Sequence, residues 1–201
     1  MCLVKLLVAT TNRSKIGEIV PLLQSLDLEI VTLADIPPIV SPEETATTFW
    51  ENARIKAFAY AAASGLMTVA EDSGIEIAAL DGAPGVHSAR FLGIDVPYPQ
   101  RFREIGRRLD ADTNATRDAR FVVAISVVRH GELLFETEAA VDGTVASEPC
   151  GDGGFGYDPL FFYPPLGMTL AACTPLEKAA ISHRGRAFRD LARWLAGASR
   201  A

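Results

Sequence analysis

The apolar positions of this chain fall into two spacings, and the spacings outline its elements. Leu3 to Ala9 is a nearly unbroken apolar run, the pattern of a strand buried on both faces. The polar turn Thr10-Thr11-Asn12-Arg13-Ser14-Lys15 follows, and then apolar residues at Ile16, Ile19, Val20, Leu23 and Leu26 predict a helix that Pro21 kinks or shortens. Leu28 to Leu33 reads as a second short strand, ahead of a loop from Pro37 to Thr47 rich in Pro, Ser and Glu. Thr48-Phe49-Trp50-Glu51 has the Thr-x-x-Glu form of a helix start and opens an alanine-rich helix that runs to Ser64 and stops at Gly65. Met67 to Ala70 predicts a short strand ending in Glu71-Asp72-Ser73-Gly74, and Asp81-Gly82-Ala83-Pro84-Gly85 a turn. Pro99 to Leu109 is amphipathic at the helical period. Phe121 to Arg129 and Leu133 to Val141 form a hairpin about His130-Gly131. A glycine-rich loop spans Gly151 to Gly156, and the last helix begins near His183. Strands and helices alternate early and a hairpin comes late, which predicts an α/β fold, a mixed sheet with helices packed on it.

Length and composition bound the class. The 201 residues suit one domain spanning 1–201, and 49% hydrophobic with 22% charged residues is the balance of an ordinary globular protein. The longest largely apolar run, Phe121 to Val128, is too short to span a bilayer, and the first residues lack the flanks of a signal peptide, so no membrane association is expected. Cys2, Cys150 and Cys173 have neither disulfide nor metal-ligand spacing. They read as packing residues in a reducing, cytoplasmic setting. A net charge of −6 argues against a nucleic-acid partner.

The basic residues are lopsided. Of 19, only Lys5, Lys15, Lys56 and Lys178 are lysines. Where arginine serves for most surface charge, a lysine marks a place for a compact ammonium, such as a point charge on a phosphate, although solvated faces account for such placement equally well. Three of the four lie in segments with other candidate chemistry. The first strand, polar turn and helix form a phosphate cradle if the unpaired N–H groups of the helix start face an anion. A purely structural turn has the same pattern, and the spacing is not that of a Walker A loop. Glu71-Asp72 and Glu43-Glu44 are adjacent carboxylate pairs, whose repulsion is relieved by a divalent cation or a shared proton; turn capping is the plainer role, above all for Glu71 and Glu44. Asn52 and Lys56 share one helix face, as residues four apart do. Gly153 to Pro159 places glycines around Phe155 and Tyr157, where backbone can approach a flat ligand closely, or simply turn over the core. Glu177-Lys178 and Ser182-His183-Arg184 gather hydrogen-bond donors ahead of the last helix.

These segments, in this order, resemble the inosine triphosphate pyrophosphatase family, which clears deaminated purine nucleotides. The likeness rests on Thr48-Phe49-Trp50-Glu51-Asn52-Ala53, Asp72-Ser73-Gly74, Gly82-Ala83-Pro84-Gly85-Val86, Gly154-Phe155-Gly156-Tyr157-Asp158-Pro159 and Ile181-Ser182-His183-Arg184. The resemblance implies a two-lobed mixed β-sheet with flanking helices and an active site in the cleft between lobes. It also implies a homodimer, a purine nucleoside triphosphate substrate cleaved to monophosphate and pyrophosphate, and Mg²⁺. Carried onto this chain, the catalytic, metal-linked aspartate is Asp72, and the metal-binding glutamate is Glu43 with Glu44 a close rival. The substrate contacts are Thr10, Thr11, Asn12, Arg13, Ser14, Lys15, Lys56, Ser73, Phe155, Gly156, Tyr157, Asp158, Lys178, His183 and Arg184. The turn lacks the family's usual glycines after Thr10 and before Lys15, Glu71 stands where aspartate is usual, and His87 where tyrosine is. Related pyrophosphatases with another base preference, and a nucleotide-binding protein without catalysis, are the competing readings.

Overall fold

The structure, a computed structural model, describes residues 4–198. Cys2 and Leu3 lie outside them. Seven strands form one sheet in the order β2-β1-β3-β4-β5-β6-β7. β1 (Val4–Val8) pairs in parallel with β2 (Leu28–Thr32), Leu6 opposite Ile30, and with β3 (Met67–Ile77), Leu6 opposite Met67. Parallel neighbours need crossovers, and α1 (Arg13–Leu23) and α2 (Phe49–Ser64) supply them. β4 (Asp118–Arg129) and β5 (Glu132–Val145) are joined by His130 and Gly131, both at positive φ, as a two-residue hairpin turn demands. β6 (Phe161–Tyr163) runs antiparallel to β5 and to β7 (Met168–Thr169), so the sheet is mixed. α3 (Tyr98–Asp110), α4 (Pro175–Ile181) and α5 (His183–Ala198) complete the chain.

The chain divides into two compact units. The first comprises Met1–Asp72, Val123–Ala139 and His183–Ala201, and here alternation along β1 shows why both faces are apolar. Leu6 and Val8 join Ile19 and Leu23 of α1 and Phe188 and Leu191 of α5, whereas Leu7 and Ala9 join Ala57, Tyr60 and Ala61 of α2. The strand is covered on both sides, and a continuous apolar run is the result. The second unit, Ser73–Val122 and Ala140–Ser182, centres on Ile75 and Ile77 of β3, Phe102, Ile105 and Leu109 of α3, and the Phe121–Phe161 ring pair at 4.7 Å.

Local signals placed the first elements well. Gly65 ends α2 at φ 71, the left-handed conformation of a helix stop. Pro21 is tolerated two residues before the end of α1. Other expectations need correction. β3 does not stop at Ala70 but continues through Glu71-Asp72-Ser73-Gly74 to Ile77, because Ile75 and Ile77 are needed in the second unit's core. Thr174 and Glu177 form a complete capping box that starts α4, a repeat of the Thr-x-x-Glu signature at Thr48 that the apolar pattern of so short a helix did not reveal. Cys150 is exposed and packs no core, while Cys173 is buried. No helix among the described residues is long and apolar enough to cross a membrane.

Candidate active site

In the first unit the candidate residues gather on α1, α2, β3 and the start of α5. Asp72 is buried, and its two oxygens have different partners. Oδ1 faces the Lys56 ammonium at 3.2 Å, and Oδ2 accepts from the Asn52 amide at 3.1 Å. Asn52 is fully buried and also clamps the preceding loop, accepting from Ala46 N–H and donating to Ala46 C=O. That clamp holds the loop where Glu44 reaches the same Lys56 ammonium at 3.1 Å. Burial raises the Asp72 carboxyl, Lys56 pulls it down, and Glu44 pushes it up again; it stays above its ordinary value. Glu43 is exposed.

One residue earlier in β3, Glu71 points into a second ion cluster. Its carboxylate meets Lys15 of α1 at 2.8 Å and the Arg184 guanidinium of α5 at 2.9 and 3.1 Å, and Arg184 spans on to Glu18 at 2.7 Å. Burial pushes the Glu71 carboxyl up, but the charges of Arg184 and Lys15 outweigh it and hold the group well below the usual carboxylate range. Glu71 therefore caps no turn. The polar turn is organised from within: Asn12 is the N-cap of α1, and its side-chain oxygen accepts from Ser14 N–H at 2.9 Å and Lys15 N–H at 3.2 Å. Two donors that the sequence offers to an anion are thus taken by Asn12 itself. Thr10 accepts from Asn12 N–H, and Thr11, Asn12, Arg13 and Ser14 are exposed.

In the second unit the glycine-rich loop is built around the Asp158 carboxylate. It accepts from Phe155 N–H at 2.6 Å and pairs with the Lys178 ammonium of α4, which also lies 4.8 Å above the Phe155 ring. Gly154 has φ 64, and a Cβ there would overlap Asp158. Tyr157 is buried, edge-on to Tyr98 at 5.2 Å, with its hydroxyl donating to Ser88 C=O. Ser73 is half-buried, and Gly156 is backed by Tyr98.

The lysines fall into two settings. The side chains of Lys15, Lys56 and Lys178 are 18%, 12% and 7% exposed and sit among carboxylates, whereas Lys5 is 52% exposed in a surface pair with Glu29. His183 and Arg184, the first two residues of α5, are buried with the first unit. Glu18 was not singled out in the sequence, though it lies three residues after Lys15 on one helix face, a spacing that signals shared partners. Among the described residues no three of His, Cys, Asp and Glu converge into a ready metal cage.

An α/β sheet with a buried aspartate on β3, a nearby glutamate and lysine ammoniums from the flanking helices defines a class, that of proteins handling phosphate groups. The particular family is the Ham1 family: its profile matches residues 6–194, and the chain belongs to it. Among relatives, a dITP/XTP pyrophosphatase of Exiguobacterium sp. is 42% identical across 93% of this chain and 94% of its own. The structure of a HAM1 protein from Coxiella burnetii matches with a TM-score of 0.87 and 37% identity, over 96% of this chain and 99% of that one. The Staphylococcus aureus Ham1 protein matches at 0.85 and 33% identity, over 96% and 98%.

Proposed function

We propose that this chain hydrolyses deaminated purine nucleoside triphosphates (ITP, dITP and XTP) to the monophosphate and pyrophosphate. The observation that carries the reading is the Asp72 carboxylate, oriented by Asn52 and flanked by Lys56 and Glu44, in a chain about 40% identical to proteins named for that activity. The Asp72 oxygen accepts a proton as water attacks the α-phosphorus. The new P–O bond forms as the bond to the β-phosphate oxygen breaks, and that oxygen leaves with the electron pair on pyrophosphate. Lys56 and Lys15 offset charge growing on the phosphate oxygens. The family resemblance assigns Phe155, with Gly156, Tyr157 and Asp158 shaping its loop, to stacking on the base, and Lys178 and His183 to donating hydrogen bonds to the substrate.

Mg²⁺ fits this donor set. Two carboxylates, with no full protein cage among the described residues, suit an ion that keeps waters and shares substrate phosphates, and its contribution when bound would be to neutralise phosphate charge. What supports Glu44 over Glu43 as the second ligand is that Glu44 shares the Lys56 ammonium with Asp72, while Glu43 is exposed. We take the protein to work as a homodimer, in keeping with the family resemblance. A cytoplasmic setting agrees with the free Cys150 and Cys173.

The test is product identification. ITP, dITP, XTP, ATP and GTP are incubated with purified protein and Mg²⁺, and pyrophosphate and inorganic phosphate are measured separately. Pyrophosphate from the first three, lost on chelation, is expected. Inorganic phosphate as first product, or binding without turnover, overturns the reading.

A further inference from the structure

α3 begins beside the second unit's glycine-rich loop and carries a cation that no step above uses. Arg101 is 2% exposed, and all five of its N–H donors go to main-chain carbonyls of one short segment. Nη1 donates to Ser88 and Ala89 at 2.9 Å each, Nη2 to Gly93 at 3.0 Å and Ile94 at 3.4 Å, and Nε to Val96 at 2.9 Å. The segment needs such a donor set. Past Arg90 it has no helix or strand ladder, and it turns through Leu92 and Gly93 at positive φ, so its carbonyls have few local partners. The guanidinium also lies 4.9 Å over the Tyr98 ring.

The gathered segment touches the glycine-rich loop and the second-unit part of β3. Ser88 C=O, held by Arg101, accepts from the Tyr157 hydroxyl at 3.0 Å, and Ser88 Oγ accepts from Ile75 N–H at 3.0 Å, three residues beyond Asp72 in the same strand. Tyr98, under the guanidinium, meets Tyr157 edge-on and backs Gly156. Burial pushes the Tyr157 hydroxyl up to about 12 against the lowering pull of Arg101, so it stays a donor to Ser88 at any working pH.

We infer that Arg101 is a positioning residue for substrate binding: through Ser88 and Tyr98 it sets the place of the Phe155–Asp158 loop. The inference rests on the reading of that loop as the base site. A lysine could not do the same, since three donors on a mobile stem cannot serve five carbonyls that a planar fork reaches.

Three variants decide it, each first checked for native circular dichroism and melting. Arg101→Lys keeps the charge, and Tyr157→Phe removes only the hydroxyl that reads Ser88, which spares the fold if Arg101→Lys does not. Phe155→Ala removes the ring itself. KM and kcat for ITP are measured on all three. Arg101→Lys is expected to raise KM about tenfold with kcat changed less than about threefold, and Tyr157→Phe to raise it by a smaller factor in the same sense. A fourth variant, carrying both Arg101→Lys and Tyr157→Phe, should raise KM no further than Arg101→Lys alone, because both act through Ser88. A role confined to stability would lower the melting temperature and leave KM of the folded enzyme alone. Unchanged KM in Tyr157→Phe and in folded Arg101→Lys overturns the inference. Phe155→Ala then separates the two failures: a raised KM there leaves the base site standing without Arg101, and an unchanged one removes the base site as well.

Discussion

The Arg184 guanidinium holds the Glu71 carboxylate through two parallel hydrogen bonds, Nε to Oε2 at 2.9 Å and Nη2 to Oε1 at 3.1 Å. Both side chains are buried, and the third nitrogen is bonded to Glu18. Bidentate pairing of this kind fixes orientation as well as charge, so Arg184 is committed to the link between β3, α1 and α5 within the first unit. Removing one partner of a buried pair is costly because the other charge is left behind.

Glu71→Gln should therefore destabilise the fold by about 3 kcal/mol near neutral pH. The sign of the pH dependence follows from the depressed carboxyl. Its contribution is complete above the unfolded value of about 4.3 and is lost as pH falls below it toward the folded value. Chemical denaturation of parent and variant at pH 7 and near pH 3.5 checks this; the gap should narrow on acidification, and a constant or widening gap counts against the ion cluster.

Asp72→Asn keeps the volume and the Asn52 contact but removes the negative charge beside Lys56. We expect turnover of ITP to fall by about 10²-fold or more with the fold intact. Turnover within a few-fold of the parent in a stopped pyrophosphate-release assay would rule out Asp72 as the proton acceptor.

Lys56→Ala and Lys5→Ala compare a lysine among carboxylates with one on the surface. Lys56→Ala should cost about 10-fold or more in kcat/KM, and Lys5→Ala nothing measurable, since an exposed pair is worth little. Arginine at position 56 should rescue poorly, its planar fork being no substitute for a point charge. Equal defects in the two alanine variants would sink the argument from lysine placement.

Gly154→Ala forces a Cβ into Asp158 at a backbone φ of 64, where an L side chain is already strained by about 1 kcal/mol. Because Asp158 organises the loop through Phe155 N–H and Lys178, kcat/KM should drop about tenfold or more. Gly106→Ala, in α3 with open space around it, is the control and should change neither activity nor melting for the worse. A Gly154→Ala enzyme with parental kinetics would show the loop to be uninvolved.

The sequence by itself determined what local physics controls. The nearly unbroken apolar run from Leu3 to Ala9 foretold a strand covered on both faces, Thr48 and Gly65 bracketed α2 to the residue, and His130-Gly131 marked the hairpin. Three of the four lysines, Lys15, Lys56 and Lys178, lie in segments with other candidate chemistry. These signals act over a few residues, through backbone dihedrals, helix ends and the side on which each Cβ emerges. Tertiary structure alone decided who pairs with whom. Glu71 and Arg184 are 113 positions apart, and nothing near either one tells that they share two hydrogen bonds. Glu44 rather than Glu43 reaches Lys56 because Asn52 clamps Ala46, a loop geometry that adjacent glutamates do not encode. β3 runs past Gly74 because a core built from α3, β4, β5 and β6 needs Ile75 and Ile77, and Arg101 is buried because the irregular segment just before α3 folds back to bring five carbonyls around it. A residue's propensity is set by its neighbours in sequence, but its charge and hydrogen bonds are settled by whichever groups the fold brings within about 3 Å.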